Sequence, residues 1–126
     1  MKGVKMFIKK KAAQQIKPLK GEKVVKVMAD YECYPLWGVG AQGYNIPPEE
    51  LKLSKGLTEN LYHWAGVYDS TLNRADPISS GFISKDAEIE FVQNGRNLAH
   101  QVKIELGKEY IVHYYDQLKG ATEVVV

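Results

Sequence analysis

Val24-Val25-Lys26-Val27-Met28-Ala29-Asp30-Tyr31-Glu32-Cys33-Tyr34-Pro35-Leu36-Trp37 is the stretch on which the fold turns. Its first half is short, apolar and β-branched, which predicts a strand from Lys23 to Cys33 that Pro35 stops. Asp30 and Glu32 stand two apart at the end of that strand and are expected to point the same way. Gly38-Val39-Gly40-Ala41-Gln42-Gly43 follows and matches G-x-G-x-x-G. A dinucleotide site would need a helix to open inside that motif, and the paired prolines at 47 and 48 prevent one. The motif therefore reads as a loop.

Downstream, Pro48-Glu49-Glu50-Leu51 has proline and acids where a first helical turn wants them, and predicts a single turn. Ser54 caps a longer helix, about Lys55 to Asn73, in which Leu57, Leu61, Trp64, Ala65, Tyr68 and Leu72 form one stripe. Asp76-Pro77 and Ser80-Gly81 are turn chemistry. Ser84 then caps a second helix with acids in its early turns, a stripe of Phe91, Leu98, Ala99 and Val102, and Gly107 as its stop. Gly95 falls mid-helix, where it costs about 1 kcal/mol against alanine. That cost points to close packing against the first helix. Tyr110-Ile111-Val112-His113-Tyr114-Tyr115 and Thr122-Glu123-Val124-Val125-Val126 predict two final strands around Lys119-Gly120. The fold class is α+β: a single domain over 1–126, with a small, mainly antiparallel sheet and two main helices on one face.

The 126 residues carry a net charge of +2, unevenly divided. Residues 1–26 hold nine lysines against Glu22, a net +8, and the remaining hundred hold eight Lys/Arg against fourteen Asp/Glu, a net −6. The acidic body disfavours nucleic acid as a direct partner and favours a basic protein. The lysine-rich segment 1–23 reads as a basic, loosely packed arm, either a helix or a first strand. The single cysteine, Cys33, forms no internal disulfide, and no apolar run is long enough to span a membrane. A cytoplasmic address is expected.

The histidines at 63, 100 and 113 have no ligand partner at helical spacing, so no metal or cofactor is expected. Eight tyrosines outnumber three phenylalanines. Tyrosine offers interface area at low entropy cost together with a polar tip. Tyr31, Trp37 and Tyr44 read equally as recognition surface or core rim. With carboxylates at Asp30, Glu32, Glu49, Glu50 and Asp69, they suit contact with a basic protein. Asp69 and Asn73 can also serve to cap the loop after the first helix.

From about Val27 to Tyr115 the chain resembles a family of small bacterial proteins. The resemblance is carried by A-D-Y-x-C-x-P-L-W at Ala29 to Trp37, P-E-E-L-x-L-S at Pro48 to Ser54, and L-x-x-W-A-x-x-Y-D-x-T-L-N at Leu61 to Asn73. It continues in D-P-x-x-S-G-F at Asp76 to Phe82, G-R-x-L-A at Gly95 to Ala99, E-L-G at Glu105 to Gly107, and the tyrosine-rich strand. Proteins of this look resemble immunity partners of contact-dependent growth inhibition toxins. That resemblance implies a non-enzymatic cytoplasmic protein that binds a cognate toxin nuclease domain and blocks its RNA-binding cleft. Asp30, Tyr31, Glu32, Trp37, Glu49, Glu50 and Asp69 are then the expected contacts. The alternative is a small ligand-binding or metal-dependent enzyme domain built around Cys33 and the glycine loop.

Overall fold

The computed structural model describes residues 23–40 and 43–126. The expectations for segment 1–22 and for Ala41-Gln42 lie outside the described residues. The described elements are strands β1 (Val24–Val27), β2 (Leu36–Gly38) and β3 (Asn45–Ile46), helices α1 (Lys55–Asp69) and α2 (Lys85–Leu106), and strands β4 (Ile111–Asp116) and β5 (Ala121–Val125). The five strands form one sheet in the order β3-β2-β1-β4-β5, in which β1 and β4 run parallel and the other neighbours antiparallel. The α+β class and the mainly antiparallel sheet agree with the sequence reading.

Register explains the burial pattern. Val25 lies opposite Val112 and Val112 opposite Val125, while Val27 faces both Tyr114 and Leu36. Because strand side chains alternate, these residues share one face. They join Leu57, Leu61, Trp64, Phe91, Leu98 and Val102 in the core, so both helices cover that face. Lys26, Trp37, His113 and Val124 belong to the other face, where Val124 is well exposed.

Ser54 Oγ accepts the Leu57 N–H, and Ser84 Oγ accepts the Ala87 N–H, so both helices begin at the predicted caps. Glu105, at the far end of α2, accepts both the N–H and the hydroxyl of Ser54, which ties the start of α1 to the end of α2. Helix α1 ends at Asp69 rather than near Asn73, because Thr71 O accepts the Gly81 N–H and the Asn73 N–H donates to Ser80 Oγ, closing a loop. Asn73 caps that loop, its Oδ1 accepting the N–H groups of Ala75 and Asp76.

One expectation is corrected: the first strand stops at Val27, and Pro35 leads into β2, which returns antiparallel with Leu36 opposite Val27. The glycine stretch is a loop at its described residues after Gly38, but it joins two short strands that were not expected, β2 and β3, where the Gly38 N–H donates to Tyr44 O and a Cβ on Gly43 would stand 2.5 Å from Gly38 O. A three-residue and a two-residue strand carry too little alternation to be read beside glycines.

Gly95 is where three elements meet. A Cβ there would lie 2.3 Å from the Trp64 ring and 2.6 Å from the Tyr114 hydroxyl. Trp64 stacks on Phe91 with centroids 4.5 Å apart and donates its indole N–H to Phe91 O. Tyr114 donates its hydroxyl to Val92 O. The packing expected between α2 and α1 is present, and β4 shares it.

Beyond this point Arg96 binds Asp116 on β4 and Glu123 on β5. Burial pushes the Asp116 carboxyl up, but N–H groups of Lys119 and Leu118 together with the Arg96 guanidinium reverse this and hold it below its ordinary value. The hydrogen bond from Arg96 likewise lowers Glu123, against a smaller opposing effect of burial.

Two outcomes follow from this packing. Gly95→Ala, which on an exposed helix would stabilise by about 1 kcal/mol, is expected to destabilise here by about 1–3 kcal/mol, read as a lower urea midpoint. Because both carboxyls are depressed in the fold, their stabilisation is present above the usual carboxylate range and is lost as pH falls through the folded values. Arg96→Leu should cost about 2–3 kcal/mol at pH 7 and flatten the loss of stability below about pH 4, measured by urea unfolding across pH.

Candidate partner-binding face

The chain between β1 and β2 turns at Asp30–Cys33, where the Cys33 N–H reaches Asp30 O. Glu32 takes a left-handed φ of 58°, a conformation costing an L-residue about 1 kcal/mol or more. The surroundings hold it there. Asp69 Oδ1, at the end of α1, accepts the Glu32 N–H at 2.8 Å, and Arg74 forms an ion pair with the Glu32 carboxylate. Tyr31 lies against Tyr68 with centroids 4.6 Å apart, and its hydroxyl meets Thr71 Oγ1 at 3.0 Å. Since the Thr71 hydroxyl already donates to Tyr68 O, the Tyr31 phenol is the donor in that pair.

Asp30 and Glu32 therefore do not act as a matched pair on a strand, as their spacing suggested. Asp30 stands exposed at the turn, its Oδ1 accepting the Tyr31 N–H. Glu32 and Asp69 are half-buried and engaged in shaping the turn. Asn45 fastens the chain just beyond, its amide bonding the backbone of Tyr34 and Leu36. Buried Asn45 thereby ties the start of β3 to the chain that follows Cys33.

Glu49 and Glu50 form a second cluster. They lie on the single 3-10 turn Pro48–Leu51, as the prolines predicted, and both are exposed. Tyr62 of α1 donates to Glu49 Oε1 at 2.7 Å and packs edge-on against Tyr34. Burial, reinforced by the hydrogen bond to Glu49, pushes the Tyr62 phenol well above its ordinary value, so it remains the donor. Burial first and the charges of Glu49 and Glu50 second raise Tyr34 as well.

One side of α1 joins the clusters. Tyr62 and Asp69 are seven residues apart, hence on the same helix face and about 10 Å from one another. Glu59, also exposed, is one turn earlier on that face. The result is a flank with carboxylates at both ends and tyrosines between. Trp37 lies elsewhere: it belongs to the sheet face away from the helices, and its indole N–H donates to Met28 O at the base of the turn.

Six of the seven expected contacts thus gather along one flank, four as exposed or accessible groups and two as supports. Sequence reading did not find Tyr62, Glu59 or Arg74. The first two are signalled by helical spacing from Asp69, whereas nothing local marks Arg74, which reaches Glu32 from 42 positions away. His63 and His100 are exposed, and among the described residues no group of three His, Cys, Asp or Glu is placed to hold a metal ion. Among the same residues no helix is long and apolar enough to cross a membrane.

No curated protein matches the chain. A family model described as Serratia CdiI immunity protein-like matches residues 23–117, which spans every element from β1 to β4 and most of the sequence. The chain belongs to the Serratia CdiI immunity protein-like family.

Proposed function

We propose that this protein is the immunity protein of a cognate bacterial toxin, that it acts in the cytoplasm by binding rather than catalysis, and that the toxin is a nuclease whose basic cleft it covers. Family membership supports the immunity role. The observation that carries the finer reading is the flank of α1, where exposed Asp30, Glu49 and Glu50 flank Tyr31 and Tyr62. A cleft that binds RNA presents cations to phosphates, and a competitor needs carboxylates in their place with aromatic rings as anchors. Exposed carboxylates contribute little to the fold, about 0–1 kcal/mol each even when paired, so they are free to serve recognition.

Co-expression with the toxin encoded beside this chain is the direct test. The expected outcome is a complex that co-purifies and relief of growth arrest. Asp30→Lys combined with Glu50→Lys leaves the Glu32–Arg74 and Glu49–Tyr62 contacts intact. That variant should melt as the wild type does but associate about tenfold more slowly at low salt, with weaker protection. Full protection at an unchanged association rate would remove this flank from the interface.

A further inference from the structure

We propose that a slot beside the start of α1, walled by Glu49 and Glu59 and backed by Tyr62 and Leu53, receives a single arginine side chain of the toxin. The inference rests on the immunity reading and specifies the group that this flank recognises. The slot is an open recess of about 450 Å³ between the 3-10 turn and the first turns of α1, with Lys55 and Thr58 completing its lining.

Apart from the Lys55 ammonium, its lining suits a guanidinium. Glu49 spends one oxygen, Oε1, on the Tyr62 hydroxyl and keeps the other, while Glu59 has neither an ion pair nor a hydrogen bond among the described residues. Carboxylates on two walls call for a donor that can answer both, and the planar five-donor fork of arginine does so where a point-charged ammonium answers one. The half-buried Tyr62 ring offers a surface on which a guanidinium stacks, and buried Leu53 suits the methylene stem. Lys55, one turn before Glu59, is an exposed, flexible ammonium that partly offsets the charge in the free protein. A stacked, bidentate guanidinium displaces it, because the more weakly hydrated cation loses less on leaving water. By contrast, the groove of about 490 Å³ between α1 and α2 carries a rim of asparagine amides and the single carboxylate Glu90. It lacks the charge to select a cation.

The test is calorimetric titration of the toxin domain encoded beside this chain into wild type, Glu49→Gln/Glu59→Gln and, as a control in the other groove, Glu90→Gln. Glutamine keeps an oxygen to accept the Tyr62 hydroxyl, and matching thermal melts verify the fold. The double variant is expected to bind at least about tenfold more weakly, with Glu90→Gln within about twofold of wild type. Arg→Lys replacements in the toxin should include one whose penalty disappears against the double variant, the mark of a direct pair. Tight wild-type binding that the double variant retains within about twofold would overturn the slot and leave the immunity reading standing. A wild type that neither binds the toxin domain nor relieves growth arrest would remove both.

Discussion

The hydrogen atom that serves Gly95 as a side chain is the constraint on which the layers depend. Through the space it leaves, Trp64 of α1, Tyr114 of β4 and the backbone of α2 come within contact of one another. All three are buried, and both polar atoms on the rings find backbone carbonyls. The helix-propensity cost at Gly95, about 1 kcal/mol, is small beside the 3–5 kcal/mol that a buried tryptophan typically contributes, so the exchange favours the fold. The same contact fixes the rotation of α1 about its axis. With Trp64 turned inward, Tyr62 and Asp69 are left on the side that meets the β1–β2 turn and the 3-10 turn.

Charge is used in two distinct ways. Around Arg96, Asp116 is sunk into the packing, 3% exposed, and is satisfied by backbone N–H groups as well as by the guanidinium, while Glu123 stays partly exposed. Breaking such a set leaves a desolvated carboxylate without its cation, which is costly. Beside α1, Asp30, Glu49, Glu50 and Glu59 remain in water, where such pairings are worth little to stability, whereas half-buried Asp69 holds the β1–β2 turn. Stability and recognition are thereby drawn from different carboxylates.

Much of the fold was legible because it rests on local chemistry. The caps at Ser54 and Ser84, the glycine stop at Gly107, the stripe from Leu57 to Trp64 and the β-branched runs of β1, β4 and β5 each announce themselves. What stayed hidden was non-local or short. Strands β2 and β3 exist because β1 offers Leu36 and Trp37 an edge, not because five residues separated by glycines prefer extension. The site divides in the same way. Asp30, Glu49 and Glu50 are exposed acids, whereas Glu32 and Asp69 are tied to each other across 37 positions and Glu32 to Arg74 across 42, links that no local pattern marks. Trp37 stands on the sheet face away from the helices, because the β1–β2 hairpin sets it opposite Lys26.

The left-handed residue at the β1–β2 turn has a consequence for how this surface meets another molecule. Glu32 is held in that conformation by Asp69 and Arg74, and Tyr31 is set beside it by Tyr68 and Thr71. The entropy of ordering the turn is therefore surrendered during folding, when the whole core compensates for it. For Glu32 and Tyr31 that order, about 0.5–1.5 kcal/mol for each immobilised side chain, is not subtracted again at association. The turn is set before a partner arrives, and only exposed groups such as Asp30, Glu50 and Glu59 are left to be ordered in the contact itself.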